Sequence, residues 1–291
     1  MADDQDSGII RSRENKYIKM ALALQNKKAR DESGLALLEG VRLVGDALQQ
    51  GAMVSTLLFS SRLLLRPGGT QLLALARSGP TGVLEVDPAL LERISSTETG
   101  QGVVAFARTP RHDVPALVDR TARDAGILVL LEQIQDPGNV GAIIRSAAAQ
   151  GAVGVVAGPG TADPWAPKTL RASAGAAFRI PIACPGDWAL VLRCCRERLQ
   201  ILLADVAGSA VPPWQCALMV PTALILGNEG SGPSEASAQA ASARVQIPMS
   251  GGTESLNVAM SASVILYEAQ RQRLAGRPAA GPGHLEGPVA L

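Results

Sequence analysis

Polar residues suited to ligand binding follow a glycine-rich turn near the carboxyl end of the chain. Residues 245–262, VQIPMSGGTESLNVAMSA, are typical of a short strand, a turn and the start of a buried helix. Ser255 and Asn257 lie where the chain leaves the turn. A helix N-terminus presents unpaired N–H groups and a partial positive charge, so this turn favours an anion. Neither GxxxxGKS nor GxxxxGKT occurs in the chain, which favours a smaller anion than a triphosphate, such as a carboxylate.

Two further polar loops follow predicted strands, at residues 132–147 and 223–235. In the first, Asn139 is either a helix cap or a ligand-binding side chain. Arg145 lies in a mostly apolar helix, where a charge usually has a partner or a function. In the second, Glu229 is either an exposed acid at a sharp turn or an anchor for the Asn139 or Arg145 side chain. Both loops follow strand ends, where ligands of open α/β sheets bind, and both interpretations of Asn139 and of Glu229 stay open.

The residue types in these loops exclude several classes of chemistry. The loops contain no histidine, no cysteine motif and no carboxylate pair, so acyl transfer and glycoside hydrolysis fit poorly. The cysteines lack CxxC spacing and both histidines are distant from them, so we expect no metal site. These residues are Cys184, Cys194, Cys195, Cys216, His112 and His284. We interpret the cysteines as reduced core residues of a cytosolic protein.

The composition limits the partners of the chain. Its 291 residues are 47% apolar but only 3% aromatic, which argues against platforms that stack single-stranded bases. The net charge is +1, so any nucleic-acid surface must be local. No apolar run has membrane-spanning length, and the first residues lack the apolar core of a signal peptide.

The strongest local charge lies between residues 11 and 30, where seven basic residues accompany one acid, Glu14. The basic residues are Arg11, Arg13, Lys16, Lys19, Lys27, Lys28 and Arg30. Ile18, Leu22 and Leu24 have helical spacing. Two interpretations stay open: a solvated basic helix, or a helix that contacts phosphates.

Two α/β units must position these loops. The first, at 11–108, is predicted to contain a single helix over 35–51 and strands at 54–60, 83–87 and 102–108. A linker at 109–123 precedes the second unit, 124–274, and residues 275–291 are predicted to be a disordered tail. The second unit alternates strands with helices, which predicts a mostly parallel doubly wound sheet.

The three loops, in this order, resemble the motifs of the SPOUT superfamily of RNA methyltransferases, in its SpoU/TrmH branch. The matching segments are DPGNVGAIIRSA (136–147), LILGNEGSG (224–232) and IPMSGGTESLNVAMSASVILYEAQRQR (247–273). KTLRASAGAAFRIPI (168–182) is similar to the middle region of the family. Residues 12–40 and GQGVVAF (100–106) resemble the small substrate-binding domain of the ribosomal-RNA members. The resemblance covers most of residues 11–274.

The resemblance implies an α/β fold in which the carboxyl-terminal SPOUT domain has a mostly parallel sheet and a deep trefoil knot. A small α/β substrate-binding domain would precede it. The family works as homodimers and binds S-adenosylmethionine in the knot. By resemblance, groups around Leu226, Gly227, Ile247, Met249 and Leu256 hold this cofactor.

The implied reaction is methyl transfer to a ribose 2′-hydroxyl of RNA. By resemblance Arg145 activates the hydroxyl, Asn139 and Glu229 hold Arg145 in place, and Ser255 and Asn257 position cofactor and ribose. The extra domain and the basic segment favour large-subunit rRNA of the 23S type, and a role in antibiotic resistance would be compatible with that substrate. The alternatives are a tRNA 2′-O-methyltransferase, a non-catalytic rRNA-binding or assembly protein with the same fold, and, from the strand–helix pattern alone, a Rossmann-type dehydrogenase.

Overall fold

Two β-sheets, each covered by helices on both faces, form the structure. The computed structural model describes residues 8–95, 100–205, 209–251 and 255–276. The predicted tail therefore lies outside the described residues from position 277 onward, and so does the centre of the glycine-rich turn, 252–254.

The first unit has a mixed sheet in the strand order β1-β4-β3-β5-β2, with β5 antiparallel to both of its neighbours. Its strands are β1 (Ile9–Ile10), β2 (Leu35–Glu39), β3 (Val54–Phe59), β4 (Gly82–Val86) and β5 (Val103–Arg108). Its helices are α1 (Lys16–Ala23), α2 (Lys27–Ser33), α3 (Val41–Gln49), α4 (Ser61–Leu64), α5 (Gly69–Arg77) and α6 (Pro88–Ile94).

The prediction of one helix over residues 35–51 is wrong, because this segment contains the strand β2 and the helix α3. Gly40 lies between them with φ 100°, a conformation that L side chains rarely adopt, and it ends the strand. The apolar residues at the start of the segment form β2, which pairs with β5, and the helix α3 begins only after Gly40. The basic segment likewise forms two short helices, each capped by an asparagine side chain, Asn15 or Asn26.

The second unit has a fully parallel sheet in the order β11-β9-β10-β6-β7-β8. This confirms the predicted mostly parallel sheet. The strands are β6 (Ile127–Leu131), β7 (Gly154–Ala157), β8 (Ile182–Ala183), β9 (Gln200–Ala204), β10 (Thr222–Leu226) and β11 (Ala243–Val245). The helices are α7 (Val114–Arg123), α8 (Pro137–Ala149), α9 (Pro167–Ala172), α10 (Trp188–Arg196), α11 (Glu235–Ala240) and α12 (Val258–Ala275).

The central strand β6 shows why this sheet is buried on both faces. Its side chains alternate, so that Ile127, Val129 and Leu131 pack in the hydrophobic cluster that contains α8 and α12. Leu128 and Leu130 pack on the opposite face, with α7 and α10. A strand with two apolar faces is stable only between two helical layers, and the continuous apolar sequence ILVLL is typical of such a strand.

Several predicted boundaries differ from the structure. Within the predicted linker, residues 114–123 form α7, whose Leu117 and Val118 are buried against the second sheet. Within the predicted linker, only residues 109–113 form neither a helix nor a strand. The bounds of the two domains stay a prediction. The sequence Asp163–Pro164 is typical of a helix start, but α9 begins only at Pro167. Pro233 also predicts a helix start, but α11 begins after a Ser234 cap. A strand predicted from 179 begins at Ile182 as β8.

The two units are joined by ion pairs and by a shared core. Arg30 of α2 donates through Nε and Nη2 to one oxygen of Asp163, at 2.9 and 2.7 Å. Arg171 of α9 contacts Glu39 of β2 at 3.4 Å. One hydrophobic cluster extends from α3 and α5 of the first unit to α8 and α12 of the second. The first unit therefore has a fixed position beside the second sheet.

Candidate functional site

Three polar loops meet at one edge of the second sheet. They follow β6, β10 and β11, and all three strands are parallel members of the same sheet. The carboxyl ends of parallel strands lie at one edge, so the loops are brought together although Asn139 in the first loop is 90 residues from Glu229 and 118 residues from Asn257.

A line of hydrogen bonds connects the three loops. The Asn257 Nδ2 donates to the Asn139 Oδ1 over 3.0 Å. The Asn139 Nδ2 in turn donates to the Glu229 Oε1 over 2.7 Å. The expectation that Glu229 anchors the Asn139 side chain is therefore confirmed. A bond to a carboxylate is stronger than one between neutral groups, so this contact helps to hold the loops in register.

Of the two asparagines, Asn257 caps a helix and Asn139 does not. α8 is capped by Asp136, whose Oδ1 accepts from the main-chain N–H of Gly138 and Asn139. Asn139 therefore lies in the first turn and is not the cap, which leaves its side chain for the neighbouring loops. Asn257 does cap α12, accepting from the N–H of Ala259 at 2.9 Å.

A cleft of about 380 Å³ opens beside this line of contacts, within the usual size range of small-molecule sites. All five predicted cofactor-binding residues line it, together with Glu229, Ser255 and Asn257. The five are Leu226, Gly227, Ile247, Met249 and Leu256. Within the described residues, the main-chain N–H groups of Ile247, Met249 and Leu256 donate no hydrogen bond. The cleft thus combines apolar walls with available main-chain donors.

The loop that carries Glu229 is shaped by Asn228, a residue that the sequence interpretation missed. Its Oδ1 accepts from the N–H groups of Gly230 and Ser231, both at 2.9 Å, and its Nδ2 donates to the carbonyl of Gln133 at 2.8 Å. An asparagine whose side chain accepts from the backbone two residues further on forms an Asx-turn, and the Asn in GNEGSG is a sequence signal for such a turn. A Cβ at Gly227 would lie 2.7 Å from the Pro233 nitrogen, so this glycine is required by the turn itself.

Arg145 lies on the same helix as Asn139 but is exposed to solvent. Within the described residues its side chain makes no hydrogen bond or ion pair, so the expected anchoring by Asn139 and Glu229 is wrong. The next residue, Ser146, has its hydroxyl 2.6 Å from that of Ser263 on α12. Because Arg145 is exposed, its guanidinium is available to a ligand or to another chain. Ser255 is also exposed, at the rim of the cleft.

The predicted RNA-binding residues are mostly exposed, and several are paired with acids. Lys19 lies 2.5 Å from Glu14, and Lys27 lies 2.7 Å from Asp31. Arg11, Arg13, Lys16 and Lys28 are exposed as well. Arg30 is a correction to the set, because its side chain is only 5% exposed and its guanidinium is occupied by Asp163 and by two main-chain carbonyls. Sequence spacing alone gave no sign of a partner 133 residues away.

Two other features of the described residues bear on the type of site. No helix among them has both the length and the apolar character needed to cross a bilayer. No group of three or more histidine, cysteine, aspartate or glutamate side chains in the same part of the chain is arranged to hold a metal ion.

Comparison with known families follows the division into two units. Residues 126–267 match the SpoU rRNA Methylase family, and residues 15–105 match the MRM3-like substrate binding domain. The chain belongs to the SpoU rRNA methylase family.

Similar proteins extend over almost the whole chain. The 23S rRNA (uridine(2479)-2′-O)-methyltransferase of Streptomyces viridochromogenes is 34% identical over 94% of this chain and 95% of its own length. The 23S rRNA (guanosine(2553)-2′-O)-methyltransferase of Bacillus subtilis is 31% identical over 89% and 97%. A crystal structure of an AdoMet-bound rRNA methyltransferase from Sinorhizobium meliloti superposes with a TM-score of 0.78, at 32% identity over 91% and 99% of the two chains.

Proposed function

We propose that this protein transfers a methyl group from S-adenosylmethionine to a ribose 2′-hydroxyl of large-subunit rRNA of the 23S type. The proposal depends chiefly on the line of contacts from Asn257 through Asn139 to Glu229 beside the cleft. Each of these residues comes from a different motif of the SpoU family. The relatives named for this reaction match nearly their full length, which supports carrying the activity over to the whole chain.

The cleft fits the proposed cofactor. Leu226, Gly227, Ile247, Met249 and Leu256 would hold it, because apolar side chains beside main-chain donors suit a nucleoside ring and a carboxylate. When bound, S-adenosylmethionine supplies a methyl group on a positively charged sulfur that is already strongly electrophilic. The protein is then required mainly to orient the ribose hydroxyl and to assist loss of its proton.

Arg145 is proposed to act on the hydroxyl through its charge. An arginine side chain stays protonated in proteins, so it stabilises the developing alkoxide and aligns a neighbouring phosphate. The proton of the hydroxyl is then lost to solvent water as the methyl group leaves the sulfur for the ribose oxygen. Asn139 and Glu229 hold the loops around this position. Ser255 and Asn257, at the rim of the cleft, position cofactor and ribose.

The working form is proposed to be a homodimer through α12. One side of this helix is buried, while Met260, Val264, Tyr267 and Leu274 form an exposed apolar row on the other. Met260 and Tyr267 are 61% and 59% exposed. Large apolar side chains repeating along one face of a helix mark a docking surface. Arg145 lies on the neighbouring helix α8, so a second chain seated here would bring its RNA beside this arginine.

Several finer features are part of the proposal. The MRM3-like domain favours rRNA over tRNA as the substrate. The deep trefoil knot is inferred from family membership. A cytoplasmic location accords with the bacterial rRNA methyltransferases among the relatives.

Two measurements test the proposal. Calorimetric titration with S-adenosylmethionine should show binding, and incubation with the labelled donor and unmodified 23S rRNA should introduce one 2′-O-methyl group that nuclease mapping locates. Purified tRNA should stay unlabelled. A protein that binds 23S rRNA but gives no heat at millimolar donor would instead be the non-catalytic binder, and labelled tRNA would reverse the choice of substrate.

A further inference from the structure

The segment that connects the two units, residues 108–112, lies between two clefts of about 570 and 560 Å³. The first cleft is lined by α2, by the connector and by the loops that follow β7 and β8. The second is lined by the end of α2, the turn before β3 and the same connector. Arg111 lines both clefts, and Arg108 lines the second.

The acids of both clefts are already neutralised by cations of the protein. Asp31, Asp163 and Glu32 are the carboxylates in the two linings. Their ion pairs are Lys27–Asp31, Arg30–Asp163 and Lys28–Glu32. Arg108 and Arg111 are exposed, and neither makes an ion pair or a side-chain hydrogen bond within the described residues. These two arginines therefore set the charge of the clefts.

The remaining titratable groups are neutral near pH 7. Partial burial and the charge of Arg120 lower the pKa of His112, so its imidazole is uncharged there. Desolvation and the nearby Asp163 raise the pKa of the Cys184 thiol to about 11. The connector thus carries two positive charges, Arg108 and Arg111, that no acid of the clefts pairs with, which is an attractive environment for a polyanion.

The first cleft adjoins the candidate active site. The loops after β7 and β8 leave the same edge of the sheet as the three site loops, since every strand of this sheet is parallel. Gly160 of the cleft packs against the side chain of Gln133, where a Cβ would lie 3.1 Å from Cγ. The carbonyl of Gln133 accepts from Asn228, the residue that shapes the Glu229 loop. A ligand bound in the cleft is therefore one loop away from the site.

We propose that the two clefts beside the connector hold the backbone of the substrate RNA, with Arg108 and Arg111 contacting its phosphates. This inference rests on the proposed function, because it extends the path of the RNA whose ribose is methylated. The cations of α1 and α2 are less suited to this role, since Lys19, Lys27 and Lys28 have acidic partners in the protein. Arginines carry phosphate contacts that position RNA without reading its sequence.

The test is the salt dependence of binding to in vitro-transcribed 23S rRNA by the double variant Arg108→Ala/Arg111→Ala. Each phosphate contact contributes a slope of about 0.7–0.9 to log K against log salt. The variant should lose about 1.4–1.8 of this slope and bind at least about fivefold more weakly at 0.1 M KCl. Its affinity for S-adenosylmethionine by calorimetry should equal that of the wild type.

The matched control is Arg193→Ala/Arg196→Ala in the last turn of α10. These arginines are also exposed, and the helix runs from the carboxyl edge of the sheet to the opposite edge. The control should bind 23S rRNA as the wild type does. An equal loss in the control, or a wild-type slope in the connector variant while the wild type methylates 23S rRNA, overturns the inference alone. A wild type that ignores both rRNA and donor overturns the proposed function and the inference with it.

Discussion

At the scale of the residue, Asn139 fixes the geometry of the site because its amide has distinct ends. The Nδ2 donates to Glu229 and the Oδ1 accepts from Asn257, so only one orientation of the amide satisfies both neighbours. Neither aspartate nor leucine, although similar in size, can make both bonds. This explains why an asparagine at this position can contact both of the other loops at once.

Removal of the Arg145 charge should separate cofactor binding from catalysis. The Arg145→Ala variant is expected to bind S-adenosylmethionine as the wild type does, since Arg145 does not line the cleft. Single-turnover methyl transfer should slow by roughly 10²–10⁴-fold, the range for groups that assist proton transfer. Arg145→Lys should be intermediate, because it keeps the charge but not the planar fork. A wild-type rate in the alanine variant would remove Arg145 from the site.

Exchange of the Asn139 amide for a carboxylate should be worse than its removal. Asn139→Asp places a second acid against Glu229, whereas Asn139→Ala leaves only lost hydrogen bonds. We expect the aspartate variant to be slower than the alanine variant by roughly tenfold at pH 8, which corresponds to about 1.4 kcal/mol. Two adjacent carboxylates raise each other's pKa, so the pair in the aspartate variant becomes partly protonated as the pH falls. The difference in rate between the aspartate and alanine variants should therefore be smaller at pH 6 than at pH 8.

The control for this pair is Gln135→Glu, which adds the same charge in the same loop at an exposed position. It should retain wild-type single-turnover rates at both values of pH. If the rate of Gln135→Glu falls as far as that of Asn139→Asp, the loss comes from added negative charge anywhere in the loop and not from the contact with Glu229.

The residues of the site were only partly predictable from the sequence. Asn139, Glu229 and Asn257 follow strands of one parallel sheet, so sequence order and sheet geometry together bring them to one edge. The exposed state of Arg145 was not predictable, because an arginine among apolar neighbours has the same sequence pattern whether it points inward or outward. Arg30 was misassigned for a related reason, since its partner Asp163 belongs to the other unit.

At the scale of the element, α2 is held to the second unit by a buried charge. The side chains of Arg30 and Asp163 are 5% and 9% exposed. The Arg30→Met variant leaves the Asp163 carboxylate buried without its partner, which should lower the free energy of unfolding by roughly 3–5 kcal/mol in urea denaturation. Arg30→Met/Asp163→Asn should recover part of this loss, because asparagine has no charge and can keep the turn bond to the Trp165 N–H.

The matched control on the same helix is Lys28→Met, which breaks the exposed pair with Glu32. Exposed pairs contribute about 0–1 kcal/mol, so this variant should unfold near the wild-type urea concentration. Equal losses of unfolding free energy in Arg30→Met and Lys28→Met would show that the Arg30–Asp163 pair contributes no more to stability than an exposed pair does.

Elements with one dominant pattern were predicted well, and segments with two patterns were not. The strands predicted at 54–60, 83–87 and 102–108 correspond to β3, β4 and β5, and each follows directly from local sequence. Residues 35–51 contain an apolar run that suits a helix or a strand, and the pairing of β2 with β5 decides between them. The close packing of α8 on α9 was likewise invisible, although Gly141 permits it: a Cβ there would lie 2.6 Å from the Thr169 carbonyl oxygen.

At the scale of the whole molecule, the exposed row on α12 should determine the oligomeric state. Val264→Glu/Tyr267→Glu places charges in this row and should convert a particle of twice 30.1 kDa into one of 30.1 kDa by light scattering. Leu65→Glu is the control, since Leu65 is 85% exposed but lies on the first unit. A wild-type protein that is already monomeric, or a double variant that stays dimeric, would contradict the proposed interface.

The strand order of the second sheet also governs when the protein becomes competent during its synthesis. β6 leaves the ribosome long before β10, its central neighbour, and Asn257 emerges still later. Pairings between distant parts of a chain form slowly, because a long loop must close first. A nascent polypeptide that ends before residue 257 can therefore display a folded first unit while lacking the Asn257 bond. Ribosome-bound chains of this kind could bind rRNA before they could methylate it.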